Sequence, residues 1–84
     1  MRRRTRRDKL LEAIRNNPKS VRFEEACKAA ELIGFIFHGG EGSHRVYKRK
    51  DEPVILNFQN RKGLIAEYQA RQLIRMIDKY EGDQ

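Results

Sequence analysis

Hydrophobic residues recur every three or four positions in three segments of this chain, the spacing that places them on one side of an α-helix. At the start of the first segment, Thr5 and Asp8 form a capping-box pattern, and Pro18 follows its end. Gly34 follows the second segment, where a glycine commonly stops a helix. The pattern therefore predicts three helices. They cover residues 5–16, 23–33 and 66–80.

Between the second and third helices, the pattern changes to the alternation of polar and apolar residues that is typical of β-strands. A glycine-rich turn, GGEG at residues 39–42, separates the first two strands, and a turn ending at Pro53 precedes the third. The order helix, helix, three antiparallel strands, helix predicts an α+β two-layer sandwich with the helices on one face of the sheet. The strands are predicted at residues 35–37, 45–49 and 54–58.

The apolar sides of the helices and the inward positions of the third strand predict one shared core. The single cysteine, Cys27, falls on the apolar side of the second helix, so we expect a small buried side chain and not a reactive thiol. One cysteine also excludes an internal disulfide and a metal site built from several thiolates. The predicted core residues are Phe23, Ala26, Ala30, Ile33, Val54, Leu56, Phe58, Leu73 and Ile77.

The net charge of the chain limits the classes of function that are open to it. The 84 residues form one small domain and include 19 Lys and Arg against 12 Asp and Glu, a net charge of +7. Such a surface attracts nucleic acid, an acidic protein or an anionic membrane. No apolar run approaches the roughly 20 residues that span a bilayer, and no apolar signal-peptide segment follows the basic start. We therefore expect a soluble, cytoplasmic protein without membrane association.

A cluster of arginines opens the chain, and its pattern leaves two interpretations open. The cluster is either a solvated face of the first helix or an arm that binds phosphate. It consists of Arg2, Arg3, Arg4, Arg6 and Arg7.

The stretch GSHRVY, residues 42–47, contains the main candidate for chemistry. A glycine turn brings His44 to the start of a strand, and imidazole is suited to proton transfer near neutral pH. A histidine that only forms hydrogen bonds in the turn is the structural alternative. His38, at the end of the preceding strand, is either a second acid–base group or an ordinary surface histidine. Tyr47 is expected to pack on the sheet, with stacking on RNA as the alternative.

The chain resembles the HicA family of toxins from prokaryotic toxin–antitoxin systems. The likeness lies in four short segments and extends over residues 21–80: ELIGF (31–35), GSHRVY (42–47), LNFQ (56–59) and YQARQL (68–73). On this basis we divide the chain into a basic N-terminal helix with its connector, a HicA-like domain and a polar tail. These parts are residues 1–20, 21–80 and 81–84.

The resemblance implies a fold like that of the double-stranded-RNA-binding domain, α-β-β-β-α, to which this chain adds an N-terminal helix. It also implies cleavage of mRNA, inhibition of translation and growth, and neutralisation by a HicB-type antitoxin. The family's catalytic histidine corresponds to His44. Glu41 departs from the family's pattern, in which a basic or polar residue is common at that position. A carboxylate there would weaken the attraction for phosphate.

In such a site, a histidine would exchange protons with RNA, and cationic side chains would stabilise the charge that develops on the phosphate. This chemistry requires no metal and no cofactor, and the sequence has no cluster with metal-ligand spacing. Six residues are predicted to contact phosphate, although a solvated charged face is the alternative for each cation. They are Ser43, Arg45, Lys48, Arg49, Arg61 and Lys62.

Two classes of function therefore stay open. The leading one is an endoribonuclease toxin, and the second is a noncatalytic RNA-binding module of the same fold. Replacing His44 separates them, because only the first class needs the imidazole. A DNA-binding helix-turn-helix protein is a third class, against which the glycine turn within a sheet argues.

Overall fold

The computed structural model describes residues 5–81 and contains three α-helices and a three-stranded antiparallel sheet. This is the α+β arrangement predicted from the order of elements, and no boundary differs by more than two residues. A short 3₁₀ turn, Pro18–Ser20, joins the first two helices. The helices are α1 (Arg6–Asn16), α2 (Phe23–Leu32) and α3 (Glu67–Tyr80), and the strands are β1 (Ile36–Phe37), β2 (His44–Lys48) and β3 (Leu56–Gln59).

Some residues at each end of the chain lie outside the described range. Within the N-terminal arginine cluster, Arg6 is exposed, and the guanidinium of Arg7 donates to the backbone carbonyl of Glu81 at 3.0 Å. The other members of the cluster and most of the predicted polar tail lie outside the described residues. These are residues 2–4 and 82–84.

The strands follow one another in the sheet as β1-β2-β3, with β2 in the middle. The register pairs Phe37 with Tyr47, and Tyr47 with Leu56. Because side chains alternate along a strand, these three residues lie on one face of the sheet. Tyr47 and Leu56 are fully buried there, beneath the helices. This arrangement is compatible with the predicted two-layer sandwich.

The two faces of the sheet differ in what they pack against, and we name them accordingly. The inner face is the side packed against the helices, and it carries Tyr47, Leu56 and Phe58. The open face is the opposite side, and residues at the alternate positions of the same strands form it. The open-face residues of β2 and β3 are His44, Val46, Lys48, Asn57 and Gln59.

The core is one cluster between the inner face and the helices. Eight of the nine predicted core residues are buried, and the ninth, Val54, is partly buried and packs against the cluster. Cys27 is buried as expected, and burial raises the pKa of its thiol. α1 also contributes Leu11 and Ile14, so the N-terminal helix shares one core with residues 21–80.

α1 begins with the capping box that the sequence predicts. The Thr5 hydroxyl accepts a hydrogen bond from the backbone N–H of Asp8, and the Asp8 carboxylate accepts one from the backbone N–H of Thr5. At the other end of the helix, the guanidinium of Arg15 donates to Asp78 at 2.7 Å and to Glu81 at 3.0 Å. α1 is therefore tied to α3 by polar contacts as well as by the core.

The end of α2 is joined to the end of β2 by an arginine. Gly34 has a φ of 91°, and a Cβ at this position would collide with the guanidinium of Arg49. The same guanidinium donates to the backbone carbonyl of Ile33 at 2.8 Å and lies 3.9 Å from the centre of the Tyr80 ring. Gly34 therefore ends α2, as predicted, and also leaves room for Arg49 to join β2 to α2 and α3.

A buried carboxylate holds the connection between β2 and β3 against α3. The side chain of Glu52 is only 1% exposed, accepting hydrogen bonds from the backbone N–H of Val54, the ammonium of Lys79 and the hydroxyl of Tyr80. The bond from Lys79 is the largest of the effects that lower the pKa of Glu52 to about 2. Sequence patterning predicted a turn here but no such network.

Candidate active site

His44 is the first residue of β2, and its side chain is exposed on the open face. The next inward residue of the strand, Arg45, and then Tyr47 lie on the helix side. Alternation along the strand therefore separates the imidazole from the core. The sequence prediction that His44 stands at a turn and outside the core is confirmed.

The turn before His44 is held by a hydrogen bond and by one glycine. The backbone N–H of His44 donates to the carbonyl of Glu41 at 3.0 Å, which closes the turn. Across the hairpin, a Cβ added to Gly40 would collide with the backbone carbonyl of His44, and Gly40 has a φ of 154°. A residue with a side chain cannot lie this close to the His44 backbone without moving it. Gly40 therefore helps to fix the position of His44.

His38 lies on the open face, at a point of the hairpin where the strand pairing is irregular. Its backbone N–H donates to the carbonyl of Val46, while the N–H of Val46 donates to Gly39, both at 2.8 Å. Two residues thus face one, which is the arrangement of a β-bulge. The ring of Phe37 contacts Tyr47 on the inner face, so the following residue, His38, falls on the face that carries His44.

A glutamine and an arginine from the end of β3 stand beside His44. The register pairs His44 with Gln59, whose side-chain oxygen accepts two hydrogen bonds from the guanidinium of Arg61, at 3.2 and 3.3 Å. Directly paired residues have Cβ atoms about 5 Å apart. The guanidinium of Arg61 is therefore bonded to the residue that pairs with His44.

The basic loop after β3 is fixed to the turn that precedes His44. The backbone N–H of Asn60 donates to the carbonyl of Ser43 at 2.9 Å, and the Asn60 side chain accepts from Gly63 at 2.7 Å. The carbonyl of Gly63 in turn accepts from the first residue of α2, Phe23. Lys62, exposed in the middle of this loop, has a φ of 53°. The structure therefore brings Ser43, Arg61 and Lys62 to the same end of the sheet as His44.

The other predicted phosphate contacts lie elsewhere. Arg45 faces the helix side, where its guanidinium lies 5.8 Å from the ring centre of Phe23 and 5.5 Å from that of Phe37. Lys48 is exposed on the open face, four residues along the strand from His44, a distance of about 13 Å. Arg49 is part of the packing between α2 and α3 described above. These three residues are not gathered around the imidazole.

Gln59, Asn60 and Gly40 are the site residues that sequence reasoning missed. Gln59 belongs to the LNFQ segment that carries the HicA resemblance, but its position opposite His44 depends on the strand register. Gly40 was recognised only as part of a flexible turn. The short glycine turn indicates that β1 pairs with β2. It does not indicate which residues of β2 and β3 pair with each other.

The imidazole of His44 is free to meet a ligand from the open face. Across residues 5–81, no side chain forms a hydrogen bond with it. On that face, its paired residue Gln59 accepts a hydrogen bond from the guanidinium of Arg61. Such a site has a proton-transfer group and a cation bonded to the neighbouring strand, which are the parts needed to act on a phosphodiester.

Comparison with known proteins leaves the family open. No protein-family model, no curated protein and no solved structure matches the chain. The HicA resemblance therefore stays a prediction carried by the sequence segments. In the described part of the chain, no group of three or more His, Cys, Asp or Glu residues is placed to hold a metal ion. None of the helices between residues 5 and 81 is both long enough and apolar enough to cross a bilayer.

Proposed function

We propose that this protein is an endoribonuclease toxin of the HicA type that cleaves mRNA and so inhibits translation and growth. In this proposal His44 is the acid–base group, and Ser43, Arg61 and Lys62 contact the RNA backbone. Lys48 extends that contact along the open face of β2, whereas Arg45 faces the helix side. Arg49 takes no part, because its guanidinium is engaged with Ile33 and Tyr80.

One observation carries the proposal. The imidazole of His44 is exposed on the open face, and the residue paired with it, Gln59, accepts hydrogen bonds from the guanidinium of Arg61. A proton-transfer group needs access to the substrate, and a phosphodiester reaction needs a cation where negative charge develops. The net charge of +7 supplies the general attraction for RNA.

The chemistry follows from what RNA itself provides. His44 would take the proton of a 2′-hydroxyl, whose oxygen then attacks the adjacent phosphorus. The bond to the 5′ oxygen breaks, and that oxygen takes up a proton as it leaves. The products are a 2′,3′-cyclic phosphate and a 5′-hydroxyl end. Arg61 would stabilise the additional negative charge on the phosphate oxygens during the attack.

His38 is the candidate for the second proton transfer. It lies on the open face with His44, and a base and an acid are both needed in the reaction just described. The β-bulge at His38 and Gly39 changes the direction of the chain at that point, as bulges beside active sites often do. An ordinary surface histidine is the alternative, and His38→Ala distinguishes the two by its effect on the cleavage rate.

The proposal also includes the fold, the location and the antitoxin that the HicA resemblance implies. The fold would be that of the double-stranded-RNA-binding domain with one added helix, and the protein would act in the cytoplasm. A HicB-type antitoxin would neutralise it by covering the open face around His44. Acidic groups on the antitoxin would complement the +7 charge of the chain.

A noncatalytic RNA-binding module is the second candidate. The observation that favours it is the lack of a hydrogen bond that would orient the His44 imidazole among the described side chains. Catalytic histidines are often held by a partner, although such bonds can form only when the substrate binds. In this second case, RNA binds to the same surface and leaves intact.

The test is His44→Ala compared with Asn57→Ala, a change on the same exposed face away from the imidazole. We expect His44→Ala to lower the cleavage rate by about 10²- to 10⁴-fold, to relieve growth inhibition and to keep RNA binding. Asn57→Ala should cleave at the parental rate. Products of the parent protein should carry the cyclic phosphate, and chelators should not inhibit. A folded His44→Ala protein that cleaves as fast as the parent rejects the proposal, and a parent that binds RNA without cleaving it favours the second candidate.

A further inference from the structure

Tyr68, in the first turn of α3, is the most exposed of the large apolar and aromatic side chains between residues 5 and 81, with 68% of its area open to water. By contrast, Tyr47 is buried and Tyr80 is partly buried. A single exposed aromatic residue is common on protein surfaces and indicates no function by itself. The position of Tyr68 relative to His44 is what distinguishes it.

A buried glutamine connects the start of α3 to the end of β3. Gln69 is 6% exposed, and its side-chain oxygen accepts a hydrogen bond from the backbone N–H of Gln59 at 3.3 Å. The nitrogen of the same side-chain amide lies 3.5 Å from the hydroxyl oxygen of Tyr68. One side chain therefore contacts both the hydroxyl of Tyr68 and the strand residue that pairs with His44.

The direction of the Gln59 N–H shows where Tyr68 stands relative to the sheet. Successive residues of a strand direct their N–H groups to opposite sides, and the next residue, Asn60, donates to β2 through the carbonyl of Ser43. The N–H of Gln59 therefore points away from β2, across the outer edge of β3, where Gln69 accepts it. At this end of the sheet, β2 with His44, β3 and the first turn of α3 thus lie side by side in that order.

The segment that leads into α3 is basic. Arg61 and Lys62 are exposed in the loop between β3 and this helix. Glu67, the carboxylate next to Tyr68 in the sequence, is paired within α3 with the guanidinium of Arg71 at 2.6 Å, so its negative charge is compensated. Proteins that bind single-stranded nucleic acid combine cations along the backbone with aromatic rings that stack on the bases. The loop and the first turn of α3 together supply both.

The ring of Tyr68 has room for a base. Within residues 5–81, no aromatic ring and no cation stacks on it. Every base has a flat π face, so stacking on an aromatic side chain tolerates any sequence. A protein partner is the other ligand that suits an exposed tyrosine. The place of the ring across β3 from His44 favours RNA, because a strand with its phosphate at the imidazole has its neighbouring bases near this edge.

We propose that the ring of Tyr68 stacks on an unpaired base of the RNA strand, close to the phosphate at His44. This inference rests on the proposed function for the identity of the strand, and it adds a contact that does not depend on which base is present. In this role Tyr68 holds the strand across the end of the sheet and takes no part in proton transfer. Gln69 fixes the first turn of α3 against β3, which sets the place of the ring.

The experiment measures binding with a strand that the protein cannot cleave through a 2′-hydroxyl. The first probe is a single-stranded 2′-O-methyl RNA of about ten nucleotides, and the second has the same backbone with an abasic site at every position. Tyr68→Ala should weaken binding of the first probe by about 5- to 140-fold and leave binding of the abasic probe unchanged, because stacking needs a base. In the parent protein, the ring resonances of Tyr68 in NMR spectra should shift with the first probe and stay in place with the second.

Two variants serve as matched controls. Tyr68→Phe keeps the ring and should bind both probes as the parent does. Ile55→Ala removes an exposed apolar side chain, 47% open to water, directly before β3 and so at the other end of that strand from Gln59, and it should also bind as the parent does. In a cleavage assay, Tyr68→Ala should raise KM and leave kcat close to the parental value, because the stacked base is held equally before and during the reaction.

The outcomes separate this inference from the proposed function. Unchanged RNA binding by Tyr68→Ala, as expected if the ring anchors a protein partner, would overturn the stacking contact. Equal losses with both probes, or equal losses in Tyr68→Phe and Tyr68→Ala, would overturn it as well. RNA cleavage by Tyr68→Ala with the parental KM would reject the contact and leave the nuclease intact. Base-dependent shifts of the Tyr68 ring in a protein that never cleaves RNA would support the contact and reject catalysis.

Discussion

The inner and open faces of the sheet come from the same three strands but have different roles. On the inner face, Tyr47, Leu56 and Phe58 are fully buried beneath the helices. On the open face, His44 and Asn57 from the same strands are exposed. Because neighbours along a strand point to opposite faces, a residue that stabilises the fold can stand next to one that is free to react.

This difference shows at which positions a substitution can change function and leave the fold intact. Inner-face residues lose their contact with water on folding, so their substitution changes the free energy of unfolding. Open-face residues stay hydrated, and their substitution usually changes stability by no more than about 0.5 kcal/mol. We therefore expect stability and RNA cleavage to respond to separate sets of substitutions.

The largest effect on stability should come from the helix layer above the inner face. Leu73 is fully buried in α3, and Leu73→Ala should lower the free energy of unfolding by about 2 to 5 kcal/mol, because it leaves a cavity in the core. Urea denaturation measures the change. Leu64→Ala, at a position 37% exposed, is the control with the same chemical change and should cost much less. A loss below about 0.5 kcal/mol for Leu73→Ala would contradict the placement of α3 on the core.

Substitution of Gly40, in the hairpin before His44, should lower both the stability of the protein and its activity. Gly40→Ala forces a side chain against the backbone carbonyl of His44, so it should destabilise the protein by about 1 to 3 kcal/mol and also slow cleavage. Gly39→Ala is the control, since its φ of 90° is also positive but its Cβ would meet no other atom within 4 Å. Thermal unfolding and a cleavage assay are compared for both. If the two variants lose the same activity, the contact between Gly40 and His44 does not position the imidazole.

Acid gives a further way to weaken the helix side of the sheet. The pKa of Glu52 is lowered from 4.5 to about 2, first by the hydrogen bond from Lys79. A lowered pKa means that the stabilisation is fully present above about pH 4.5 and is lost as the pH falls towards 2. Glu52→Gln should therefore be less stable than the parent at pH 6, and the difference should shrink as the pH falls.

Chemical denaturation between pH 7 and pH 2 tests this expectation. Lys79→Gln removes the first cause of the lowered pKa, so its acid-dependent loss should be smaller than in the parent and should be complete at a higher pH. Parallel curves for the parent and Glu52→Gln over the whole range would show that Glu52 does not stabilise the connection between β2 and β3.

The smallest effect should be on the salt dependence of RNA binding. Arg61 and Lys62 lie in the loop that is bonded to the turn before His44, so changing both to Gln should reduce the slope of log affinity against log salt by up to about 1.4 for single-stranded RNA. The control is Arg71→Gln with Arg75→Gln, which removes the same charge from the exposed side of α3. An equal reduction by both pairs would mean that RNA follows no defined path past His44.

Local features of the fold could be predicted from the sequence because neighbouring residues determine them. The capping box at Thr5 and Asp8 forms within one helical turn, and the helical spacing of apolar residues placed Leu73 and Ile77 in the core. The glycine turn likewise placed His44 at the start of a strand. These signals span a few residues, and nothing distant in the chain opposes them.

The site depended on contacts between residues that are far apart in the sequence. Arg45, Arg49 and Arg61 are alike as cations in a basic segment. Yet the first stacks on Phe23 and Phe37, the second bonds to the end of α2, and the third bonds to Gln59, the residue paired with His44. The strand register and the packing of the helices decide which of these environments an arginine meets.

The sequence by itself determined the order of elements, the inward-facing residues and the position of His44 in a turn. Only the tertiary structure decided that Gln59 stands opposite His44, that Glu52 is buried against Lys79, and that the hydroxyl of Tyr47 is buried with no hydrogen-bond partner within residues 5–81. The physical reason is the range of the interactions: hydrogen bonding within a turn and helical spacing are local, whereas a register or a cavity exists only after separate segments have packed together.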